Sequence, residues 1–356
     1  MSDFPVFRPP WWLRNGHTNT VYSFLRPRRV HLPPAHSDWL PITQGVDLLL
    51  RSHWQPQAAP ALLLVHGLEG SSEAGYMLTT AELALARGLH VVRMNVRGCG
   101  DAETRCASLY NSGMSGDVKL ALEWLLSRPL VTEVALAGYS MGGNLVLKYA
   151  GECADHPPDG LRAVVAVSPC LDLDACATAL NRKRNYFYER RFLVKLKQRI
   201  RRHAARFPGR YPVEKLDGLD TVRAFDDVFT GPFTGYRDAV DYYEHASAAR
   251  VLEAIRVPTL VLNAEDDPFI VITPGSRALL AANPAIDFRC TLHGGHCGFI
   301  NSRRSGEGVY WAEHRVVEFC AGALQASPPF DRAALAESAP TASTPDRPAD
   351  RAYRRQ

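Results

Sequence analysis

The sequence alternates short apolar runs with amphipathic helical patterns, and this alternation constrains the fold more than any other feature. Five runs are largely apolar on both faces, as buried parallel strands are. They lie at 61–65, 90–96, 133–137, 163–167 and 259–262. Apolar residues at three- and four-residue spacing predict helices at 76–87, 118–127 and 144–152. Such alternation indicates an α/β fold, a mostly parallel central sheet with helices on both faces.

Two stretches depart from the alternation. Almost ninety residues separate the strands ending near 168 and beginning near 257, too many for a simple connection, so a helical cap or lid insertion is expected at about 172–250. From residue 327 onward, Pro, Ala, Ser, Thr, Asp and Arg dominate, and this composition predicts a disordered tail at 327–356. Residues 1–326 are then expected to form a single domain.

Composition narrows the class of protein. The chain is 46% hydrophobic and 22% charged, as soluble globular proteins are. It has no apolar run long enough to span a membrane and no evident secretion signal. Its eight cysteines are irregularly spaced and contain no C-x-x-C pair, which favours free thiols in a reducing compartment. We therefore expect a cytoplasmic protein.

Positive charge is concentrated between 182 and 210, which contains twelve Lys and Arg residues and a single acid, Glu189. Because the excess belongs to one segment, it does not predict a nucleic-acid-binding protein. Apolar residues recur within it at helical spacing. This amphipathic pattern fits a lid helix packed over the site, and it also fits peripheral contact with an anionic membrane surface.

The main chemical signal is the G-x-S-x-G motif Gly138-Tyr139-Ser140-Met141-Gly142. It follows a predicted strand and precedes a predicted helix. A serine on such a turn is held in a strained conformation with its hydroxyl exposed, and the glycines let strand and helix approach closely. This context predicts that Ser140 is a nucleophile.

A serine nucleophile needs a base and an acid that orients the base, and in this arrangement the acid comes first along the chain. The acid is expected after the strand at 259–262, where Glu265, Asp266 and Asp267 follow one another. Asp267 is preferred because it lies at the tip of the turn. Asp266 and the more distant Asp172 remain alternatives.

For the base, the C-terminal region offers His293 and His296 in LHGGHCGFI. His296 is preferred because it follows the flexible pair Gly294-Gly295, whereas His293 is expected to end a strand. Their spacing could be half of a metal site, but no partner cluster accompanies it, so we expect no metal. His66 lies too early in the chain to be the base, and His314 is expected to be a packing or surface residue.

An oxyanion hole is the remaining component. Its donors are expected to be the backbone N–H of Met141 and that of Leu68 in the sequence His66-Gly67-Leu68-Glu69-Gly70. There is no dinucleotide fingerprint and no P-loop, so no organic cofactor is predicted.

Several ordered motifs, from about residue 7 to 324, resemble the YheT-like group of α/β-hydrolases, whose eukaryotic relatives include lipid esterases and ester synthases. The matching segments are WWLRNGHTNT, LLLVHGLEGSSEAGY, MNVRGCG, AGYSMGGNLVLKYAGE, DDVFTGPFTGYRDAVDYY, NAEDDPFI and GGHCGFI. The resemblance implies the α/β-hydrolase fold and a Ser140–Asp267–His296 triad. It also implies hydrolysis of short- to medium-chain acyl esters or acylglycerols, hence a small-molecule ester or lipid substrate.

Two other functions fit the same sequence. An alcohol could intercept the acyl-enzyme in place of water, which would make the protein an acyltransferase or ester synthase. A non-catalytic lipid- or membrane-binding protein on this fold is also possible, because a fold does not fix a function. The segment Asn15-Gly16-His17 has no mechanism that the sequence reveals; it either folds over the site or simply packs.

Overall fold

The computed structural model describes residues 4–325. Within that range eight strands form one sheet. They are β1 (His36–Thr43), β2 (Val46–His53), β3 (Ala59–Val65), β4 (His90–Asn95), β5 (Val131–Tyr139), β6 (Leu161–Val167), β7 (Thr259–Ala264) and β8 (Ile286–Thr291). Their order across the sheet is β1-β2-β4-β3-β5-β6-β7-β8. Strands β3 to β8 are parallel, whereas β2 pairs antiparallel with both β1 and β4.

Helices surround the sheet. They are α1 (Gly16–Leu25), α2 (Gly75–Ala86), α3 (Ser115–Leu126), α4 (Met141–Cys153), α5 (Leu173–Leu180), α6 (Tyr186–Arg206), α7 (Val222–Phe225), α8 (Gly231–Phe233), α9 (Ala239–Ala246), α10 (Pro274–Ala282) and α11 (Trp311–Gln325). Short 3₁₀ turns lie at Trp11–Leu13, Gly100–Arg105, Lys183–Asn185, Val213–Leu216, Ala248–Ala254 and Arg303–Ser305, and a π turn at Asp226–Thr230. None of the described helices is long and apolar enough to cross a lipid bilayer.

The core lies on both faces of the sheet because successive residues of a strand point in opposite directions. In β3, Leu62 and Leu64 pack into one apolar cluster with α2 and α11. Leu63 and Val65 pack into the other, with α3 and α4. The predicted α/β architecture, with a mostly parallel sheet and helices on both faces, is confirmed.

The five predicted strands correspond to β3 to β7, and the three predicted helices to α2, α3 and α4. The hairpin β1–β2 was not predicted. Its first strand contains Pro41 and is mostly solvent-accessible, so it lacks the continuous apolar run that identified the buried strands.

The expected insertion contains helices in the structure. Helices α5 to α9 all lie between β6 and β7. The longest, α6, buries Leu193, Leu196 and Ile200 in the same apolar cluster as α3 and α4. The predicted disordered tail, 327–356, lies outside the described residues.

Candidate active site

Ser140 occupies a sharp turn between a strand and a helix. Strand β5 ends at Tyr139, α4 begins at Met141, and Ser140 between them has φ of +55°, a left-handed conformation that non-glycine residues rarely adopt. A Cβ atom at Gly138 would lie 2.1 Å from the carbonyl oxygen of Gly142, and one at Gly142 would lie 2.3 Å from that of Val65. Larger residues at either position would push strand and helix apart, so both glycines of the motif are required.

Three predicted residues lie in one hydrogen-bonded chain. His296 Nε2 is 2.9 Å from Ser140 Oγ, and His296 Nδ1 is 2.9 Å from Asp267 Oδ2. The other carboxylate oxygen of Asp267 accepts hydrogen bonds from the backbone amides of Phe269 and Ile270. These amides hold the carboxylate in place. The carboxylate in turn orients the imidazole so that its Nε2 edge is directed at the serine.

The alternative acids occupy other positions. Asp266 Oδ1 accepts from the backbone amide of Gly295 at 2.8 Å, so this carboxylate supports the chain just before His296. Asp172 caps α5 by accepting from the amide of Ala175. Glu265 forms an ion pair with Arg277 at 2.8 Å.

Among the described residues, the other candidate histidines make no hydrogen bond with Ser140 Oγ. His293 lies two residues beyond the end of β8, and its Nδ1 is 3.5 Å from Asp266 Oδ2. His66 is buried beneath its own loop, between the carbonyl of Gly67 and the amide of Val96. Burial lowers the pKa of His66 to about 4, so it stays neutral. His314 is partly buried on α11.

The two predicted oxyanion donors lie beside the serine. Met141 is the first residue of α4, where a helix has no internal acceptor for the backbone N–H. In the 67–70 loop, the amides of Gly67, Glu69 and Gly70 donate to Tyr76, Tyr110 and Gly67 respectively. No acceptor within residues 4–325 engages the amide of Leu68. A Cβ atom at Gly67 would lie 3.0 Å from Ser140 Cβ, which measures how closely this loop approaches the serine.

The imidazole of His296 has a raised pKa. Its burial favours the neutral form, but the neighbouring Cys297 and then the Asp267 carboxylate favour the cation more strongly. The net effect is a pKa of His296 above its ordinary value. A base with a raised pKa accepts a proton more readily, and the cation it becomes remains hydrogen-bonded to Asp267.

Comparison with known proteins identifies the family. The family model described as the alpha/beta hydrolase fold matches residues 60–302. The chain belongs to the α/β-hydrolase family.

Two relatives and one solved structure illustrate the match. "Putative esterase YheT" of Escherichia coli is 35% identical over 332 residues, covering 91% of this chain and 96% of the relative. A monoacylglycerol lipase of Saccharomyces cerevisiae is 29% identical over 311 residues, covering 81% and 68%. The solved esterase Pf2001 of Pyrococcus furiosus has a TM-score of 0.52 at 17% identity, covering 84% of this chain and 99% of that one. The predicted resemblance to the YheT-like group is confirmed.

In this α/β-hydrolase, the N-terminal helix α1 holds the loop that carries the histidine. The amide of His296 donates to Thr20 Oγ1 at 2.8 Å, and that of Ile300 donates to Asn19 Oδ1 at 3.2 Å. We call residues 294–299 the histidine loop; Cys297 and Phe299 within it have positive φ. The sequence marked the neighbouring segment Asn15-Gly16-His17 as unusual, but nothing in its pattern revealed this contact.

The insertion helix α6 holds the opposite loop of the hydrolase. Arg199 Nε lies 2.8 Å from Glu69 Oε1, and both side chains are almost fully buried. Tyr110 donates to the same carboxylate oxygen at 2.7 Å. Glu69 has φ of +52°, so the 67–70 loop is strained at this residue and held there by the ion pair.

The position of Arg199 corrects one expectation. Charge alone places Arg199 with the other cations of the basic segment 182–210, whose pattern also fits contact with an anionic membrane. The structure instead buries it against Glu69, the carbonyl of Gly98 and the Sγ of Cys99. Its charge is therefore neutralised inside the protein.

Two spaces open from Ser140. One is a largely apolar pocket of about 110 Å³, whose lining includes Leu68, Leu109, Phe192, Phe225 and Phe269. The other is an open cleft of about 940 Å³ that reaches Ser140 and His296 between α1 and α6. His296 lines the cleft but not the apolar pocket.

Proposed function

We propose that this α/β-hydrolase cleaves carboxylic esters through an acyl-enzyme formed on Ser140. The relatives named as an esterase and a monoacylglycerol lipase support ester hydrolysis. The observation that carries the proposal is the chain of two 2.9 Å contacts from Ser140 through His296 to Asp267. This geometry is what a general base needs to activate a serine hydroxyl.

In the first step His296 Nε2 takes the hydroxyl proton as Ser140 Oγ attacks the ester carbonyl. The negative charge that develops on the carbonyl oxygen is stabilised by the amides of Leu68 and Met141. Each such donor contributes on the order of 10²–10³ in kcat in a related site. Asp267 stabilises the imidazolium and keeps Nε2 directed at the serine.

The intermediate then collapses as the bond to the alcohol oxygen breaks. His296 returns its proton to that oxygen, the alcohol leaves, and the acyl group stays on Ser140. In the second step His296 removes a proton from water, the water attacks the acyl carbonyl, and the acid leaves with Ser140 regenerated. The chain supplies every group needed, so the mechanism uses no metal or organic cofactor.

The alcohol part and the acyl part of the ester occupy different spaces around Ser140. The leaving oxygen must lie beside His296, which protonates it, so the alcohol part lies in the cleft that His296 lines. The acyl chain then occupies the apolar pocket. A volume of about 110 Å³ is below the roughly 300 Å³ of ordinary ligand pockets, so we expect short acyl chains to be preferred.

Replacing Ser140 with Ala tests the proposal directly. Turnover of p-nitrophenyl butyrate is expected to fall by several orders of magnitude, and labelling by a fluorophosphonate is expected to disappear. Circular dichroism should remain unchanged, since a smaller side chain fits the turn. Near-native turnover by Ser140→Ala would overturn the proposal.

Adding alcohol tests the acyltransferase alternative. If ethyl butyrate exceeds butyric acid among the products at modest ethanol concentrations, transfer to an alcohol is the main reaction of the acyl-enzyme. A hydrolase instead yields mainly butyric acid.

A separate feature favours contact with lipid surfaces. At the rim of the cleft, Phe24 and Leu25 of α1 and Phe187 of α6 are 61%, 67% and 82% exposed. Such an exposed apolar group beside basic residues is typical of interfacial contact. Sedimentation with phosphatidylglycerol vesicles should weaken in Leu25→Ser and Phe187→Ser. Val240→Ser, at an equally exposed site on α9, is the matched control and should sediment like the wild type.

A further inference from the structure

The cleft beside Ser140 is bordered by one face of α6. Phe187, Arg191, Lys195, Gln198 and Arg202 all line it, and their spacing of three or four residues places them on one stripe of the helix. The outer stripe, formed by Arg190, Val194, Lys197 and Arg201, does not line the cleft. The same helix thus carries cations on two faces, and only one face borders the site.

Most charges that line the cleft are paired within the protein. Arg28 contacts Glu313, Arg199 contacts Glu69, and Arg202 contacts Glu103 at 2.6 Å. The remaining acid of the lining, Glu73, contacts Arg93.

Three other cations of the lining are different. Arg26, Arg191 and Lys195 have no carboxylate within ion-pair distance in the part of the chain that the structure describes. Arg191 instead lies over the ring of Phe24, 3.9 Å from its centroid. The cleft therefore carries an uncompensated positive charge.

Lys195 brings this charge close to the reacting atoms. Its Nζ lies 3.3 Å from the backbone carbonyl of Glu69, the residue that follows the predicted oxyanion donor Leu68. Burial, and then the nearby charge of Arg191, lower the pKa of Lys195. The ammonium group of Lys195 has three donors, and only one is directed at the Glu69 carbonyl, so the others are available to an anionic ligand.

We propose that the alcohol part of the ester carries an anionic group, a phosphate or a carboxylate, which Lys195 and Arg191 bind in the cleft. This inference rests on the proposed function, because the leaving oxygen beside His296 directs the alcohol part into the cleft. A bound anion would neutralise the two unpaired cations and orient the ester so that its acyl chain enters the apolar pocket. The preference belongs to the alcohol and not to the acyl group.

A matched pair of soluble esters tests the inference. 1-Butyrylglycerol and 1-butyrylglycerol 3-phosphate share the scissile bond and differ only in the phosphate group on the alcohol. For the wild type at low ionic strength, we expect kcat/KM to be at least tenfold higher for the phosphate, with the difference mainly in KM. In the double variant Arg191→Gln/Lys195→Gln that ratio should fall to about one.

The matched control is Arg190→Gln/Arg201→Gln, which removes the same charge from the outer stripe of the same helix. It should keep the ratio of the wild type. A ratio near one in the wild type would overturn the inference. An equal fall in the control variant would also overturn it, because the total positive charge of the helix, and not the two cleft residues, would then explain the ratio. A ratio near one in solution, with turnover that rises only on phosphatidylglycerol vesicles, would assign the cations to a membrane surface.

Binding without turnover separates this inference from the proposed function. Calorimetry on Ser140→Ala should detect glycerol 3-phosphate, and the same protein carrying Arg191→Gln/Lys195→Gln should bind it at least tenfold more weakly. If neither ester is turned over but this binding is seen, the proposed reaction is wrong and the anion site stands. If both esters are turned over equally and no binding is seen, the reaction stands and the anion site is wrong.

Discussion

Helices α1 and α6 both border the cleft, and each holds one loop of the candidate site by a different kind of interaction. Helix α1 supports the histidine loop and the adjoining Ile300 with neutral hydrogen bonds that Thr20 and Asn19 accept from backbone amides. Helix α6 supports the 67–70 loop with a buried ion pair between Arg199 and Glu69. A neutral bond contributes about 1 kcal/mol net, whereas breaking a buried pair leaves an uncompensated charge. Breaking the ion pair should therefore destabilise the protein much more than removing one of the hydrogen bonds to α1.

The largest effect is expected where the histidine meets its acid. Asp267→Asn should lower kcat by about 10³–10⁴, because an amide favours the wrong tautomer of His296. Asp266→Asn should cost only about tenfold, since this carboxylate supports the Gly295 amide and does not touch the imidazole. Kinetics on p-nitrophenyl butyrate measure both. Equal losses would leave the acid unassigned, and a larger loss at Asp266 would reverse the assignment.

The ion pair under the 67–70 loop comes next. Arg199→Met should destabilise the protein by about 3–5 kcal/mol, because Glu69 stays buried without its partner. Adding Glu69→Gln should recover much of that loss, since the amide is uncharged and still accepts from Tyr110. Urea unfolding gives both values, and Arg201→Met on the outer stripe is the control. A loss below about 1 kcal/mol for Arg199→Met would mean that the pair does not support the loop.

The protonation of His296 sets the pH dependence. The imidazole must be neutral to accept the serine proton, and its pKa lies above the ordinary value. Turnover should therefore rise with pH, with the midpoint of kcat/KM above 6.5. The residual activity of Asp267→Asn should have its midpoint at lower pH, because the carboxylate that stabilises the cation is gone. A midpoint that stays in place in this variant would contradict the assigned pairing.

The smallest effect is expected on the side of α1. Thr20→Val removes the acceptor of the His296 amide and should cost about 1–3 kcal/mol. Turnover should fall about tenfold as the imidazole loses its alignment, and Thr20→Ser should restore it. The control is Thr18→Val, on the exposed side of the same helix. If Thr20→Val lowered stability but left turnover and its pH profile unchanged, Thr20 would have only a structural role.

Sequence patterns revealed the parts of this molecule whose signal is local. Strands β3 to β7 are buried on both faces, so each appears as a continuous apolar run. The Ser140 motif combines the proposed nucleophile with the glycines that its turn requires. Asp267 and His296 could be chosen because this family has a fixed chain order. The strands and the Ser140 motif are each contained within about ten consecutive residues, whereas the acid and the base are recognised by their order along the chain.

The supports of the site have no such local signal. Arg199 lies 130 residues from Glu69, and Thr20 lies 276 residues from His296. Neither pair is marked by spacing, and charge alone does not distinguish Arg199 from the other cations of the basic segment. The end of the strand expected at His293 also shifted, since β8 ends at Thr291. Side-chain packing decides these details, and periodicity does not report it.

The contact between Thr20 and His296 has a consequence for synthesis. A ribosome releases Thr20 among the first residues and His296 among the last described ones, so Ser140 leaves the ribosome long before His296, its proposed base. The hydroxyl of Ser140 stays inert through this interval because nothing removes its proton. In the proposed mechanism, catalytic competence therefore requires the late part of the chain to return to the earliest helix. A chain that ends before residue 296 should therefore hydrolyse no ester.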